Sequence, residues 1–190
     1  MNLKLKQIIE DDLQRYGYQK EEDLGFSVRR YLYGFKFTKI LRKCKWYKDH
    51  NKKLLFWYNR LLLDKYSIKY GFQISYATEI GRGFYIGHFG AVVINSSAVI
   101  GSNVNISQGV TIGISNSGKN KGVPRIGNNV WIGANSTVVG GIEIGDDVVI
   151  APNTFVNFDV PAHSVVIGSR AEIHPKENAT EHFVQNVIKV

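Results

Sequence analysis

The sequence has one cysteine, Cys44, so no disulfide can form within the chain, and a reducing cytoplasm is the expected compartment. The charged opening MNLKLKQIIEDD lacks the apolar core of a secretory leader. Nowhere is there the run of about 18 to 20 apolar residues that a bilayer-spanning helix needs. The triplet Asn178-Ala179-Thr180 fits a glycosylation acceptor and, without a leader, reads as chance. The C-terminal two thirds also lack excess positive charge. Residues 1 to 72 hold 17 Lys and Arg against 8 Asp and Glu, whereas the remainder holds 7 against 8, so the net +8 belongs to the first part alone. With no basic stripe beyond residue 72, nucleic acid is not an expected partner.

What is present is a repeat. Aliphatic residues stand six apart at Ile74, Ile80 and Ile86, at Ile94, Ile100, Ile106 and Ile112, and from Ile126 through Ile132, Val138, Ile144 and Ile150 to Val156. A glycine or another small residue often follows, as at Gly81, Gly101, Gly127 and Gly145, and an apolar or small residue often stands two before, as at Val104, Val130 and Val148. Six is the period of neither a strand nor a helix. It suits a three-walled prism in which each unit points one side chain inward and then turns, and three units of six make a coil. The small residues after the aliphatic positions are expected to serve the turns.

The ladder is interrupted twice. The step from Ile86 to Ile94 is eight, with two extra residues directly after His88 in GFYIGHFGAVVIN. The step from Ile112 to Ile126 is fourteen, across the loop-like GISNSGKNKGVPR. Regular walls gain nothing from insertions, which makes these the first places to seek function. Residues 1 to 70 read as a basic helical segment, with Leu55, Tyr58, Leu62 and Tyr66, and Val28, Leu32 and Phe35, at helical spacing. Residues 71 to 170 form the repeat, closed by VPAHSVVIGSRAEIH, and 171 to 190 a polar tail or short helix.

The ladder, the histidine segment, SQGVTIG, RIGNNVWIGANSTVVGGIEIG and VPAHSVVIG together resemble the left-handed β-helix, hexapeptide-repeat acyltransferases over residues 70 to 170. Within that family the resemblance is to the serine acetyltransferase group and its polysaccharide O-acetylating relatives. It implies a mainly β fold, a left-handed parallel β-helix behind a helical segment. It also implies a homotrimer or hexamer with acetyl-CoA between neighbouring prisms, and His88 as general base. Histidine side chains are mostly neutral at pH 7 and can take a hydroxyl proton and return it to a thiolate. The bland alternative is a histidine packed at a corner; the adjacent insertion and the resemblance favour catalysis. Backbone at Gly113, Ile114, Gly133 and Ala134 is expected along the pantetheine arm, and Lys119, Lys121 and Arg125 near the phosphates, where they would equally suit a solvated loop. His50, His163, His174 and His182 read as solvated or structural. No spacing suggests a metal.

Serine-specific members of the family carry an aspartate fifteen residues before the histidine, another immediately before it, and an Arg-His pair at the loop end. This chain has Gln73, Gly87, Gly122 and Val123 there. Unmatched charges of a zwitterion are costly to bury, so the expected acceptor is an uncharged sugar hydroxyl of a surface polysaccharide or its precursor, with Gln73 and Gly87 beside it. Serine acetylation for cysteine synthesis and a catalytically silent scaffold are the alternatives. Residues 26 to 70, where cations alternate with aromatics, are expected either to pack on the prism or on another trimer, or to rest on the inner face of an anionic membrane.

Overall fold

The computed structural model describes residues 2–168 and 172–189. Four helices precede the repeat: α1 (Leu3–Gln14), α2 (Phe26–Tyr31), α3 (Tyr33–Asp49) and α4 (Lys53–Tyr70). Fifteen short strands follow among the described residues, and all but the last pairing are parallel.

The strands stack as three walls. The first holds β1 (Phe72–Ile74), β4 (Val92–Ile94), β7 (Thr111–Gly113), β10 (Thr137–Val139) and β13 (Phe155–Val156). The second holds β2 (Glu79–Ile80), β5 (Val99–Ile100), β8 (Arg125–Ile126) and β11 (Glu143–Ile144). The third holds β3 (Tyr85–Ile86), β6 (Asn105–Ile106), β9 (Trp131–Ile132), β12 (Val148–Ile150) and β14 (Ser164–Ile167), with β15 (Glu172–Pro175) antiparallel on β14. Successive coils are in register: Ile86 over Ile106 over Ile132 over Ile150 in the third wall, and Ile74 over Ile94 over Ile112 over Val138 over Val156 in the first. These side chains fill the prism and are buried, giving the ladder its apolar driving force.

The small residues have a different task from the one expected. A Cβ on Gly81 would lie 2.5 Å from the backbone of Gly101, one on Gly101 2.4 Å from Gly127, and one on Gly145 2.4 Å from Ala162. None of these glycines has a positive φ. They are small because each coil lies directly on the next. The left-handed positions fall elsewhere, on Asn103, Asn129, Asp147 and His163 (φ 54 to 57°) and on Asn135 and Asn153. These residue types tolerate that region better than other non-glycine residues.

The helical segment packs under and beside the prism, and its joint is ionic. The Asp12 carboxylate, fully buried, accepts from Arg42 Nε at 2.9 Å and Nη2 at 3.1 Å and from the Phe84 backbone N–H at 2.9 Å. Arg42 also donates to the carbonyls of Ile80 and Gly81 at the base of the second wall, while Arg82 pairs with Asp11. The helices do not follow the stripes read from sequence. Leu32, at φ −77° and ψ 64°, breaks α2 from α3, so Val28, Leu32 and Phe35 belong to two helices, although all three pack around Leu5, Ile9 and Leu13. In α4 the buried face is Phe56, Asn59, Leu63 and Tyr70, whereas Leu55 and Tyr58 are exposed. A helix apolar on more than one side gives periodicity no way to choose.

After β15 the chain forms turns and no helix. It runs back along the third wall with Ala179, Val184 and Ile188 buried. The expected boundary at residues 170 and 171 lies outside the described residues.

Replacing Ile132 with Asp puts an unpaired charge at a fully buried rung. We expect a loss of several kcal/mol, measured as a lower midpoint in urea, while the exposed neighbour change Asn135→Asp leaves the midpoint nearly unchanged.

Candidate functional site

The coil register leaves the two extra residues after His88 nowhere to go but outward. Gly87 N–H donates to the Ile106 carbonyl at 3.1 Å, and Gly90 N–H donates to the Tyr70 carbonyl at 2.8 Å. Between these ties His88 and Phe89 protrude from the edge joining the third wall to the first, both exposed. Phe89 is held edge-on against Tyr33, with 5.4 Å between ring centres. Among the described residues nothing hydrogen-bonds the His88 ring.

The strand leading to His88 is clamped by the helical segment. The Tyr16 hydroxyl donates to the Ile86 carbonyl at 3.0 Å and lies 3.1 Å from the Ile86 N–H, from which it accepts. Burial raises the Tyr16 phenol far above its usual range, so it stays protonated. The Tyr16 ring lies 4.4 Å from that of Tyr85. Gly34 at the start of α3 comes so close that a Cβ there would sit 2.1 Å from the Ile86 carbonyl oxygen.

His88 and Gly87 stand at the rim of a cleft of about 280 Å³ on the third wall, lined also by Arg15, Tyr85, Asn105, Ser107, Trp131, Phe183 and Gln185. Arg15 is 4% exposed. Its guanidinium donates to the Gly83 carbonyl at 2.8 Å, the Gln185 carbonyl at 2.6 Å and Asn105 Oδ1 at 2.6 Å. Burial lowers its pKa to about 10, so it is charged at neutral pH.

The far side of the cleft is the C-terminal tail. Asn105 Nδ2 donates to the Phe183 carbonyl at 3.1 Å, and the Phe183 ring lies 5.1 Å from that of Trp131. The tail is anchored on Asp147, whose carboxylate accepts from the N–H groups of Ala179 at 2.7 Å and Thr180 at 2.5 Å and faces His163 Nδ1 at 2.9 Å. Burial alone would raise the Asp147 pKa, but these bonds outweigh it and leave it lowered, while the Asp147 bond raises that of His163. The carboxylate's contribution is therefore present above the ordinary carboxylate range and lost as pH falls through the lower folded value.

The remaining expected site residues are spread over the prism. Gly133 and Ala134 lie on the edge that carries His88, two coils further on. Gly133 has a packing reason to be small, since a Cβ would come within 2.5 Å of Pro152 N, and its N–H is spent on the Ile150 carbonyl. Gly113 and Ile114 open the long loop at the other edge of the first wall, where Lys119 and Lys121 are exposed; Arg125 is exposed on the second wall. The loop is tied down: Ser115 and Gly122 exchange backbone bonds, and Gly141 N–H donates to the Asn120 carbonyl at 2.9 Å. Gln73 is outward on β1 and lines a separate hollow of about 580 Å³ with Arg60, Ser67 and Tyr76, so it does not share the His88 cleft with Gly87. Sequence reasoning missed Arg15, Tyr16, Trp131 and Phe183. The one signal for Trp131 was an aromatic at an outward strand position; Arg15 caps the C-terminal end of α1, 73 residues before His88, and gave none.

Comparison with known proteins places this architecture. Residues 124–157 match the bacterial transferase hexapeptide family (six repeats). A serine acetyltransferase of Helicobacter pylori is 41% identical over 107 residues, covering 56% of this chain and 63% of that protein. Serine acetyltransferase 2 of Arabidopsis thaliana is 33% identical over 193 residues, covering 94% of this chain and 58% of its own length. This chain thus spans about three fifths of these relatives. The crystal structure of a Brucella abortus serine acetyltransferase in complex with coenzyme A superposes with a TM-score of 0.76 at 26% identity, covering 92% of this chain and 69% of that one. The fold is the left-handed β-helix of hexapeptide-repeat transferases, preceded by helices.

These comparisons overturn the sugar acceptor expected from sequence, because the relatives consistently carry the serine name and none points to a polysaccharide. The error has a physical source. The missing charges at Gln73, Gly87, Gly122 and Val123 were judged position by position. The walls of the cleft, however, come from α1, the coils and the tail together.

Replacing Asp147 with Gly removes the tail's acceptors without strain, because position 147 has φ 55°. Tryptic cleavage within residues 176–189 should become faster by roughly two to four orders of magnitude, since the two backbone bonds to the carboxylate are each worth about 1.5–3 kcal/mol. An unchanged cleavage rate would show the tail to be held elsewhere.

Proposed function

We propose that this protein transfers acetyl from acetyl-CoA to the side-chain hydroxyl of L-serine, with His88 as general base. The observation that carries the reading is an exposed imidazole, extruded from an otherwise regular stack at the rim of a small cleft, in a chain whose similarity to serine acetyltransferases extends through the helical segment. A cleft of about 280 Å³ is just below the ~300 Å³ at which pockets for drug-sized ligands begin, and suits an acceptor the size of an amino acid.

In this reading His88 takes the serine hydroxyl proton as the oxygen attacks the thioester carbonyl. The C–S bond breaks as the tetrahedral adduct collapses, and the proton passes from His88 to the departing thiolate, giving O-acetylserine and free CoA. Tyr16 and Gly34 fix the backbone from which the ring projects. Gly113, Ile114, Gly133 and Ala134 serve the pantetheine arm, and Lys119, Lys121 and Arg125 the phosphates. These groups occupy two edges of one prism, so a trimer that sets the loop edge of one copy beside the histidine edge of the next would unite them.

Incubation with acetyl-CoA and L-serine should release free thiol. His88→Ala should lower kcat by about 10²- to 10⁴-fold with the melting curve unchanged. Near-normal turnover by that variant excludes the base, and no release with L-serine from the wild type excludes the reading.

We propose in addition that one face of α4 rests on an anionic membrane surface. No helix among the described residues is long and apolar enough to cross a bilayer. Nevertheless Leu54, Trp57, Tyr58, Leu61 and Ile68 lie at helical spacing on the side opposite the buried Phe56, Leu63 and Tyr70, and all five are more than 60% exposed. Residues 33 to 70 carry 11 Lys and Arg against 2 Asp and Glu, net +9, which opposes like meeting like and favours anionic lipid. The protein should sediment with phosphatidylserine-containing vesicles and not with phosphatidylcholine alone. Raising salt to ~1 M, where screening shortens to ~3 Å, or the double change Trp57→Ser with Leu61→Ser, should release it. Salt-insensitive binding, or self-association abolished by the same double change, assigns the face elsewhere.

A further inference from the structure

Three arginines meet where the helical segment joins the prism, Arg15 and Arg42 from the segment and Arg82 from the prism, and two have acidic partners. Arg42 forks onto Asp12 and Arg82 bonds Asp11. The third, Arg15, is buried, yet its three hydrogen bonds all end on neutral oxygens, those of Gly83, Gln185 and Asn105. Among the described residues no carboxylate is within ion-pair distance of it. Asp12, one turn earlier on α1, is already occupied by both arms of Arg42 and by the Phe84 N–H. A guanidinium has five N–H groups, so two remain. Buried charge without a counter-charge is costly, and such a site gains when an anion enters.

Arg15 also lines the cleft that His88 borders. At the end of the long loop, Gly122 and Val123 carry no charge with which to hold an acidic group. We infer that Arg15 is the specificity residue of this cleft: it binds the α-carboxylate of the acceptor amino acid and so directs the side-chain hydroxyl to His88. This rests on the acetyl-transfer reading for its substrate, while the carboxylate site stands on the uncompensated cation. The planar fork matches a carboxylate with paired N–H groups, and the adjoining rings of Trp131 and Phe183 give the cleft an apolar wall. Asn105, which accepts from Arg15 and donates to the Phe183 carbonyl, sets the guanidinium in place relative to the tail.

The test compares L-serine with L-serinamide, which keeps the hydroxyl and loses the carboxylate. Wild-type protein should prefer L-serine by roughly 10²-fold or more in kcat/KM. In Arg15→Gln that preference should collapse toward unity, with the loss in acceptor KM and not in the KM for acetyl-CoA; Arg15→Lys should fall between. Calorimetric titration of L-serine, without acetyl-CoA, reads the site apart from turnover. Serine binding that is lost in Arg15→Gln, together with no thiol release from the wild type, keeps the carboxylate site and removes the acetyl-transfer reading. Turnover of L-serine with the preference intact in Arg15→Gln does the reverse. A raised KM for acetyl-CoA alone would assign Arg15 to a phosphate and overturn the inference. Should Arg15→Gln fail to fold, equal use of the two acceptors by the wild type still overturns it.

Discussion

Register between coils governs everything else in this protein. Each inward side chain lies over its counterpart one turn below, and the glycine corners touch backbone to backbone, so the stack has no slack in which to absorb an extra residue. An insertion must leave the wall, and only the edges allow it. The histidine segment and the long loop both emerge at edges of the first wall, and what they carry is exposed because the interior would not admit it. In this architecture regularity sets where irregular, chemically useful residues can appear.

The same constraint explains why the helices matter to a site on the prism. A bulge pinned only by its own two backbone bonds would be loose. Tyr16 and Gly34 hold the residue two positions before the imidazole, and the Asp12–Arg42 pair fixes the helices that carry them. Such a pair is an expensive way to gain stability, since both partners are stripped of water. Its value is better seen as positional: it orients α1, and with it Arg15, against one particular coil. The cleft is thus assembled from the end of an N-terminal helix, three successive coils and a C-terminal tail.

The prism was legible because its signal is a short period repeated many times, and the inward residues and the two insertions could be read from spacing alone, while His88 stood out through the insertion beside it together with the resemblance. Three things could not. The small residues were assigned to turns, because sequence does not distinguish a glycine needed for positive φ from one needed for close approach. The buried side of α4 was misread because Leu55 and Tyr58 have the same spacing as Phe56 and Asn59. The acceptor was misjudged because charge was sought only at motif positions, whereas the buried cation beside the cleft comes from the C-terminal cap of a helix far away in sequence. Each failure marks a contact between segments far apart in sequence, which no local pattern encodes.

A parallel stack ends in exposed strand edges at both ends, and such edges invite further strands. Here the two ends are closed by unlike means. At the base, Arg42 occupies the carbonyls of Ile80 and Gly81. At the top, β15 turns back antiparallel on β14 and offers an incoming coil the wrong direction. A fold whose repeat could in principle propagate without limit is in this way kept to a finite length, protected from joining end to end into fibres.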